Sequence, residues 1–338
     1  MKYRRLGKTG LTVSEICLGT MTFGSMADEE TSRVLMHKAY DAGVDFFDVA
    51  EIYPVPPMPE YAGRSEEIVG RFMKDKPRDS IILATKVAGP SGGWFKAPVR
   101  AGKGTLDAWN IERAVEASLV RLGTDYIDLY QTHWPDPDMP IEETLRGLER
   151  VITSGKVRYV GCSNETAYGL TRASTIAEYA GLPRYETIQN NFSVVNRRFE
   201  DELKTVCRKE HLSLLPYSPL AGGVLSGKYQ GGKWPDGARF SMYRHDGKRG
   251  QQMTARFVNE KTLATVERLA KLATECEMAL PTFAIAWTLT RDFVGSTIIG
   301  VTKPEQLDAL VRASDVKIPE SVLTAIDEIT REIAYPMG

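Results

Sequence analysis

Eight short apolar or β-branched runs, each bounded by turn residues and separated by stretches of helical period, constrain this chain more than any other feature. They are SEICLG (14–19), VDFFDV (44–49), IILATKV (81–87), YIDLYQTH (126–133), VRYVGC (157–162), ETIQNN (186–191), LSLLPYS (212–218) and STIIGV (296–301). Runs this apolar belong to parallel strands buried on both faces by crossover helices. The segment 28–42 opens on Asp-Glu-Glu and ends before Gly43, while 110–122 starts on an Asn cap and stops at Gly123. Segments 141–154, 166–180 and 198–210 follow the same scheme. Between the seventh and eighth runs the sequence predicts a Gly-rich loop, a helix near 256–278 and another after Pro281. Eight such units predict a closed (β/α)8 barrel. An open dinucleotide-binding sheet would carry G-x-G-x-x-G after its first strand, and that spacing occurs nowhere in the chain. The leading KYRRLGKTGLTV reads as a hairpin closing the barrel bottom, and the chain ends on a predicted helix. With no linker or composition shift, residues 1–338 read as one domain.

Composition narrows the function. Lys and Arg number 43 against 44 Asp and Glu, a balance that argues against a nucleic-acid partner. No run reaches the roughly 18 apolar residues of a membrane helix, and the charged start lacks a signal-peptide core. Cys17, Cys162, Cys207 and Cys276 are far apart, so neither structural zinc nor a disulfide framework is expected, and a cytoplasmic location fits.

Barrel active sites lie at the carboxyl ends of the strands. There the second run delivers Asp48, with Tyr53 one turn later; the third delivers Lys86 and the fourth His133. Singly these would pass for a cap, a packed ring, a surface charge and a rim histidine. Jointly, on three consecutive strands, they suit proton donation by a phenol. A phenol of pKa about 10 is a sluggish acid at neutral pH. A neighbouring Lys86 is expected to lower that value, with Asp48 holding Lys86 charged and His133 on the substrate oxygen or sharing the proton. Glycoside hydrolysis is disfavoured, because paired carboxylates are missing.

DVAEIY, LATKV and QTHW resemble the catalytic Asp-Tyr-Lys-His motifs of the aldo-keto reductases, at Asp48, Tyr53, Lys86 and His133, and the likeness spans essentially the whole chain. The loop AEIYPVPPMPEYAGRSEEIVG is similar to the bacterial Tas-type (tyrosine-auxotrophy-suppressor) branch. The resemblance implies a (β/α)8 barrel, a nicotinamide cofactor without metal, and reversible reduction of aldehydes and ketones. It places Ser163, Asn164 and Gln189 against the nicotinamide amide and Tyr217 on its ring. Ser218, Pro219, Leu220 and Gly222 would follow the pyrophosphate, with Lys228 and Arg239 holding the cofactor under a loop running from Gly222 to Gly250. Gly300, Thr302, Lys303 and Gln306 match the adenosine-phosphate site, where a hydroxyl, a cation and a helix N-terminus favour NADPH (NADP+) over NADH. Gly19, Thr20 and Met21 would line the nicotinamide end. The sequence departs from the family where a Glu-Asn pair commonly binds adenine: here stand Ala309 and Leu310, with Asp308 as a partial substitute. Trp94, Phe95, Trp109, Trp134 and Tyr243 are candidates for an aromatic pocket on loops after the strands, receiving a small carbonyl substrate. The alternative function is a nicotinamide-binding sensor or regulatory subunit, as in channel β subunits that resemble this family. The sequence fixes neither oligomeric state nor substrate.

Overall fold

A computed structural model describes residues 1–90 and 98–337. Eight parallel strands form a nearly closed barrel with surrounding helices: β3 (Ile16–Gly19), β4 (Phe46–Asp48), β5 (Ile82–Val87), β6 (Ile127–Thr132), β7 (Val157–Ser163), β8 (Thr187–Asn191), β9 (Ser213–Tyr217) and β10 (Thr297–Gly300). They follow chain order around the barrel, with β10 beside β3, and an isolated Leu214–Val294 bridge lies near the gap between β9 and β10. Preceding them, β1 (Tyr3–Arg5) and β2 (Thr12–Ser14) pair antiparallel. Every predicted run thus coincides with a strand, most of them trimmed at one or both ends, while β7 extends one residue further to Ser163.

Helix termini follow their capping residues. Asp28 accepts from Thr31 N–H (2.8 Å) to start Glu29–Asp41, and Thr166 accepts from Gly169 N–H (3.0 Å) to start Ala167–Ala180. Asn110 is not the cap the sequence suggests. The helix runs Ala108–Leu122, and Asp107 caps it by accepting from Asn110 N–H at 3.1 Å. The predicted 198–210 helix splits into a 3₁₀ turn, Arg198–Glu200, and Leu203–Glu210. The helix placed near 256–278 spans Glu260–Glu275, and the one after Pro281 is Leu280–Leu289. Glu320–Glu332 is the terminal helix. Two regions hold more helix than their glycines and prolines announce: Arg64–Met73 follows the proline-rich stretch after Tyr53, and the 222–250 stretch contains Arg239–Tyr243 and the start of Gly247–Phe257.

Alternation along the strands sorts the barrel interior into two layers. The lower layer is apolar: Cys17, Phe46, Ala84, Leu129 and Leu215 are fully buried and pack with Ile298. The hairpin's Leu6, Leu11 and Val13 join this cluster from below and seal it. Two residues further along β4, β5 and β6 the interior turns polar, at Asp48, Lys86 and Gln131, with Gly161 of β7 beside Gln131 and Gln189 of β8 reaching Asp48. A Cβ at Gly161 would stand 2.2 Å from Thr187 Oγ1, so the packed polar layer admits no side chain there.

Candidate active site

The fold brings the four sequence-derived residues together above the apolar plug. Lys86 Nζ is fully buried and donates to Asp48 Oδ2 (2.6 Å), Val49 O (2.9 Å) and Tyr53 Oη (3.3 Å). Tyr53 is 7% exposed, and its ring stands edge-on to His133 with centroids 5.6 Å apart. His133 also lies against Trp134, whose indole N–H donates to Pro90 O. A cation therefore sits between a carboxylate and a phenol, with the phenol facing an imidazole.

Electrostatics revise one expectation. Burial pushes the Tyr53 phenol up and Asp48 adds to that rise, so the net shift is upward although Lys86 pulls the other way. Lys86 limits the increase rather than producing a pKa below that of free tyrosine. Burial depresses the Lys86 ammonium, but Asp48 and Tyr53 overcome it and leave Lys86 above the ordinary lysine value. Burial, aided by Lys86, holds His133 well below its ordinary value of 6.5, so this imidazole is neutral. Its Nδ1 has no hydrogen-bond partner among the described residues.

The low folded value of His133 makes stability pH-dependent. Unfolding lets it bind a proton, so its contribution is intact above about pH 6.5 and erodes as pH falls from there toward the folded value. The expected slope is about 1.4 kcal/mol per pH unit within that window. Denaturant midpoints at closely spaced pH values should show it, and His133→Gln should flatten it; an identical slope in that variant would assign the effect to other groups.

Asp48 has further partners that the motif reading missed. Gln189 Nε2 donates to Asp48 Oδ1 at 2.8 Å and Gln131 Nε2 at 3.3 Å. Gln131 could have been found by parity, since Leu129, Gln131 and His133 share one strand face. Also missed is Glu51, which accepts from both terminal nitrogens of Arg100 (2.7 and 2.8 Å) and from Ala88 N–H (2.6 Å). This ion pair, with its carboxylate buried, ties the Tyr53 turn to the segment after β5; nothing in the sequence pairs residues 49 positions apart.

Among the remaining predicted residues, Ser163, Asn164, Gln189 and Tyr217 form a connected cluster. Ser163 Oγ donates to Gln189 O (2.7 Å), Asn164 Nδ2 to His133 O (2.9 Å), and Tyr217 Oη to Asn164 Oδ1 (2.7 Å). Asn164 and Ser218 both adopt left-handed backbone, φ 57° and 53°, where β7 and β9 turn outward. Pro219 is buried, Leu220 is half-buried, and Gly222 has φ 65° with Phe240 against it. Lys228 and Arg239 are half-buried and close enough that Arg239 adds to the depression burial imposes on Lys228. No ion-pair partner is seen for either among the described residues.

At the first strand, Thr20 Oγ1 is committed to Ser65 Oγ (2.8 Å) and Asp48 O (3.0 Å), and Met21 is half-buried. A Cβ on Gly19 would lie 2.7 Å from Ile298, so packing alone accounts for that glycine. After β10, Gly300 and Lys303 are exposed, and Gln306 Oε1 accepts from the N–H groups of Thr302 (2.9 Å) and Lys303 (3.2 Å). Those terminal N–H groups are therefore already partly satisfied, which shifts the weight of any anion site there onto Lys303. Asp308 is exposed and paired with Lys38 (2.7 Å), and Leu310 is buried.

Of the pocket candidates, Trp109 and Tyr243 sit on helices, not loops, and Trp109 is 61% exposed beneath the Arg113 guanidinium. Trp134 adjoins His133, and Trp94 and Phe95 fall outside the described residues. No helix among the described residues is long and apolar enough to cross a membrane, and no His, Cys, Asp and Glu group there could hold a metal.

The profile of the Aldo/keto reductase family matches residues 15–331. The chain belongs to that family. It is 36% identical to Protein tas of Escherichia coli over 99% of both chains. It is 34% identical to a probable voltage-gated potassium channel subunit beta of Oryza sativa subsp. japonica, covering 97% of this chain and 95% of that one. To versiconal hemiacetal acetate reductase of Aspergillus parasiticus the identity is 31%, over 97% and 96% of the two chains. Family membership accounts for the eight-stranded barrel and supports reduction of a small carbonyl compound as the general reaction. It also spans relatives named as reductases and as channel subunits, so the choice of activity rests on the site.

Proposed function

We propose that the protein is an NADPH-dependent reductase that converts aldehydes or ketones to alcohols, with Tyr53 as proton donor. The carrying observation is the buried Asp48–Lys86–Tyr53 chain ending beside a neutral His133 at the carboxyl end of the barrel. When bound, the nicotinamide supplies a hydride to the carbonyl carbon. The chain's own residues manage the oxygen. His133, being neutral, can donate a hydrogen bond to it without transferring charge. Tyr53 then gives its phenolic proton to that oxygen, and the Lys86 cation stabilises the phenolate left behind. Asp48 keeps Lys86 charged against the burial that disfavours its ammonium.

The residues present fit a dinucleotide. Ser163, Asn164 and Gln189 offer an amide-matching set of donors and acceptors, and Tyr217 offers an aromatic ring beside them. Lys228 and Arg239, two adjacent half-buried cations, suit a pyrophosphate, which Ser218, Pro219, Leu220 and Gly222 would approach through backbone. Thr302 and Lys303 would face a 2′-phosphate. Lys303→Met is expected to weaken NADPH by about 1.5 kcal/mol, the low end for a charged hydrogen bond because Lys303 is exposed, and to spare NADH. Arg239→Ala should speed cofactor release while leaving the hydride-transfer step unchanged. Fluorescence titration and stopped-flow release measure the two effects; equal loss for both cofactors in Lys303→Met would remove the phosphate assignment.

The test of the function is a panel of small aldehydes and ketones assayed with NADPH and NADH. Sustained NADPH consumption supports a reductase. Tight nicotinamide binding with no more than a single turnover would favour the sensor or regulatory-subunit reading, which the 34% identity to a channel β subunit keeps in view.

A further inference from the structure

Asp48 carries two oxygens with different company. Oδ2 faces Lys86 at 2.6 Å; Oδ1 faces the Gln189 and Gln131 amides at 2.8 and 3.3 Å. A carboxylate only accepts, so both glutamines must present N–H to it. The orientation is self-consistent, because Gln189 Nε2 also lies 3.3 Å from Gln131 Oε1, which can only accept. Gln131 is fully buried, pairs in register with Lys86 on the neighbouring strand, and on its other side meets Gly161, where no side chain competes. A long amide sealed above an apolar plug costs desolvation that its hydrogen bonds must offset, and it makes them to a charged group.

We propose that Gln131 is a positioning residue for proton donation: its amide, with that of Gln189, holds the outer oxygen of Asp48 and thereby fixes how much of the Lys86 charge reaches Tyr53. This rests on the reductase reading for its kinetic expression, but not for its electrostatics. The outer oxygen of Asp48 shares its negative charge with the two amides. Remove one donor and more of that charge acts on Lys86 and Tyr53, which makes the phenol a weaker acid. Gln189 cannot serve this purpose alone, because the proposed function also requires it at the nicotinamide amide.

The charged and titratable groups around this network are few. Cys17 on β3 and Lys86 on β5 sense Asp48; His133 after β6 senses Lys86; Tyr217 at the end of β9 senses Tyr53. Substituting Gln131 neither adds nor removes any of these groups, so a shift can be assigned to the field of Asp48.

Gln131→Met removes both N–H groups at nearly constant length, and Gln131→Leu does so with a shorter, branched chain as a second route to a folded variant. The pH dependence of kcat/KM for alcohol oxidation, which uses the phenolate, is expected to move to higher pH by about half a unit, with oxidation at neutral pH falling roughly threefold and NADPH affinity unchanged. In apo-protein, the tyrosinate titration assigned to Tyr53 by difference from Tyr53→Phe should move the same way. In an Asp48→Asn background the Gln131 effect should vanish. Folded variants whose pH profile and apo titration both match wild type would overturn the assignment, as would a shift that persists without Asp48. If wild type reduces no carbonyl compound, the proposed function falls while the apo titration still decides the role of Gln131.

Discussion

Replacing Tyr53 by phenylalanine is expected to leave a folded, cofactor-binding protein that has lost carbonyl reduction by about 10²-fold or more. The ring is buried and packs edge-on against His133, contacts that phenylalanine retains. The deleted hydroxyl meets Lys86, but Lys86 keeps Asp48 and Val49 O as acceptors, so no buried cation is stranded. The loss is therefore chemical. Burial raises the phenol above free tyrosine, so wild type keeps its proton across the neutral range, and reduction should decline only at strongly alkaline pH. Steady-state rates, nicotinamide titration and circular dichroism of the variant check the three parts; turnover near wild type would mean another group supplies the proton.

The second large effect is at Lys86. Lys86→Met should reduce turnover by roughly 10³-fold, because phenolate is left without a counter-charge in a desolvated site. It should also destabilise the fold by about 3–5 kcal/mol, the cost of leaving a buried charge unpaired. Asp48 is 2% exposed, and only neutral amides would remain to face it. Asp48→Asn should cost less in stability, since it removes a charge rather than stranding one. The combined variant should recover most of the stability lost by Lys86→Met and none of the turnover. Denaturant unfolding and initial rates on all three separate the effects; additive stability losses would show that the two side chains do not interact. Lys86 lies above free lysine in the folded state, so its ion pair contributes fully below about pH 10.5 and is lost as pH rises through the folded value.

The barrel was legible because its signal is local. Each strand is a short apolar run and each helix carries its own caps, so one misplaced cap at Asn110 shifts a boundary and leaves the element intact. The meeting of Asp48, Tyr53, Lys86 and His133 was legible for a related reason, since strand ends can be counted. What remained hidden depends on distance in sequence. Glu51 and Arg100 meet across a segment with no periodicity, and Gln131 acquires a partner only when β4, β6 and β8 converge inside the barrel. The sign of the Tyr53 shift was also out of reach, because sequence names the neighbouring cation but not the depth of burial that outweighs it. Gln306 is a further instance: its side-chain oxygen caps its own helix start, a local bond that the ligand reading did not include.

The hairpin plug has a consequence for the order of events. Leu6, Leu11 and Val13, with the fully buried apolar layer above them, shut the amino end of the barrel to water. In the reductase we propose, protons would then reach the polar layer from the carboxyl end, by the mouth that admits the substrate. There Tyr53 would recover its proton by the same side from which the alcohol leaves, which couples reprotonation to product departure. In such an enzyme, emptying the barrel is part of recharging the acid.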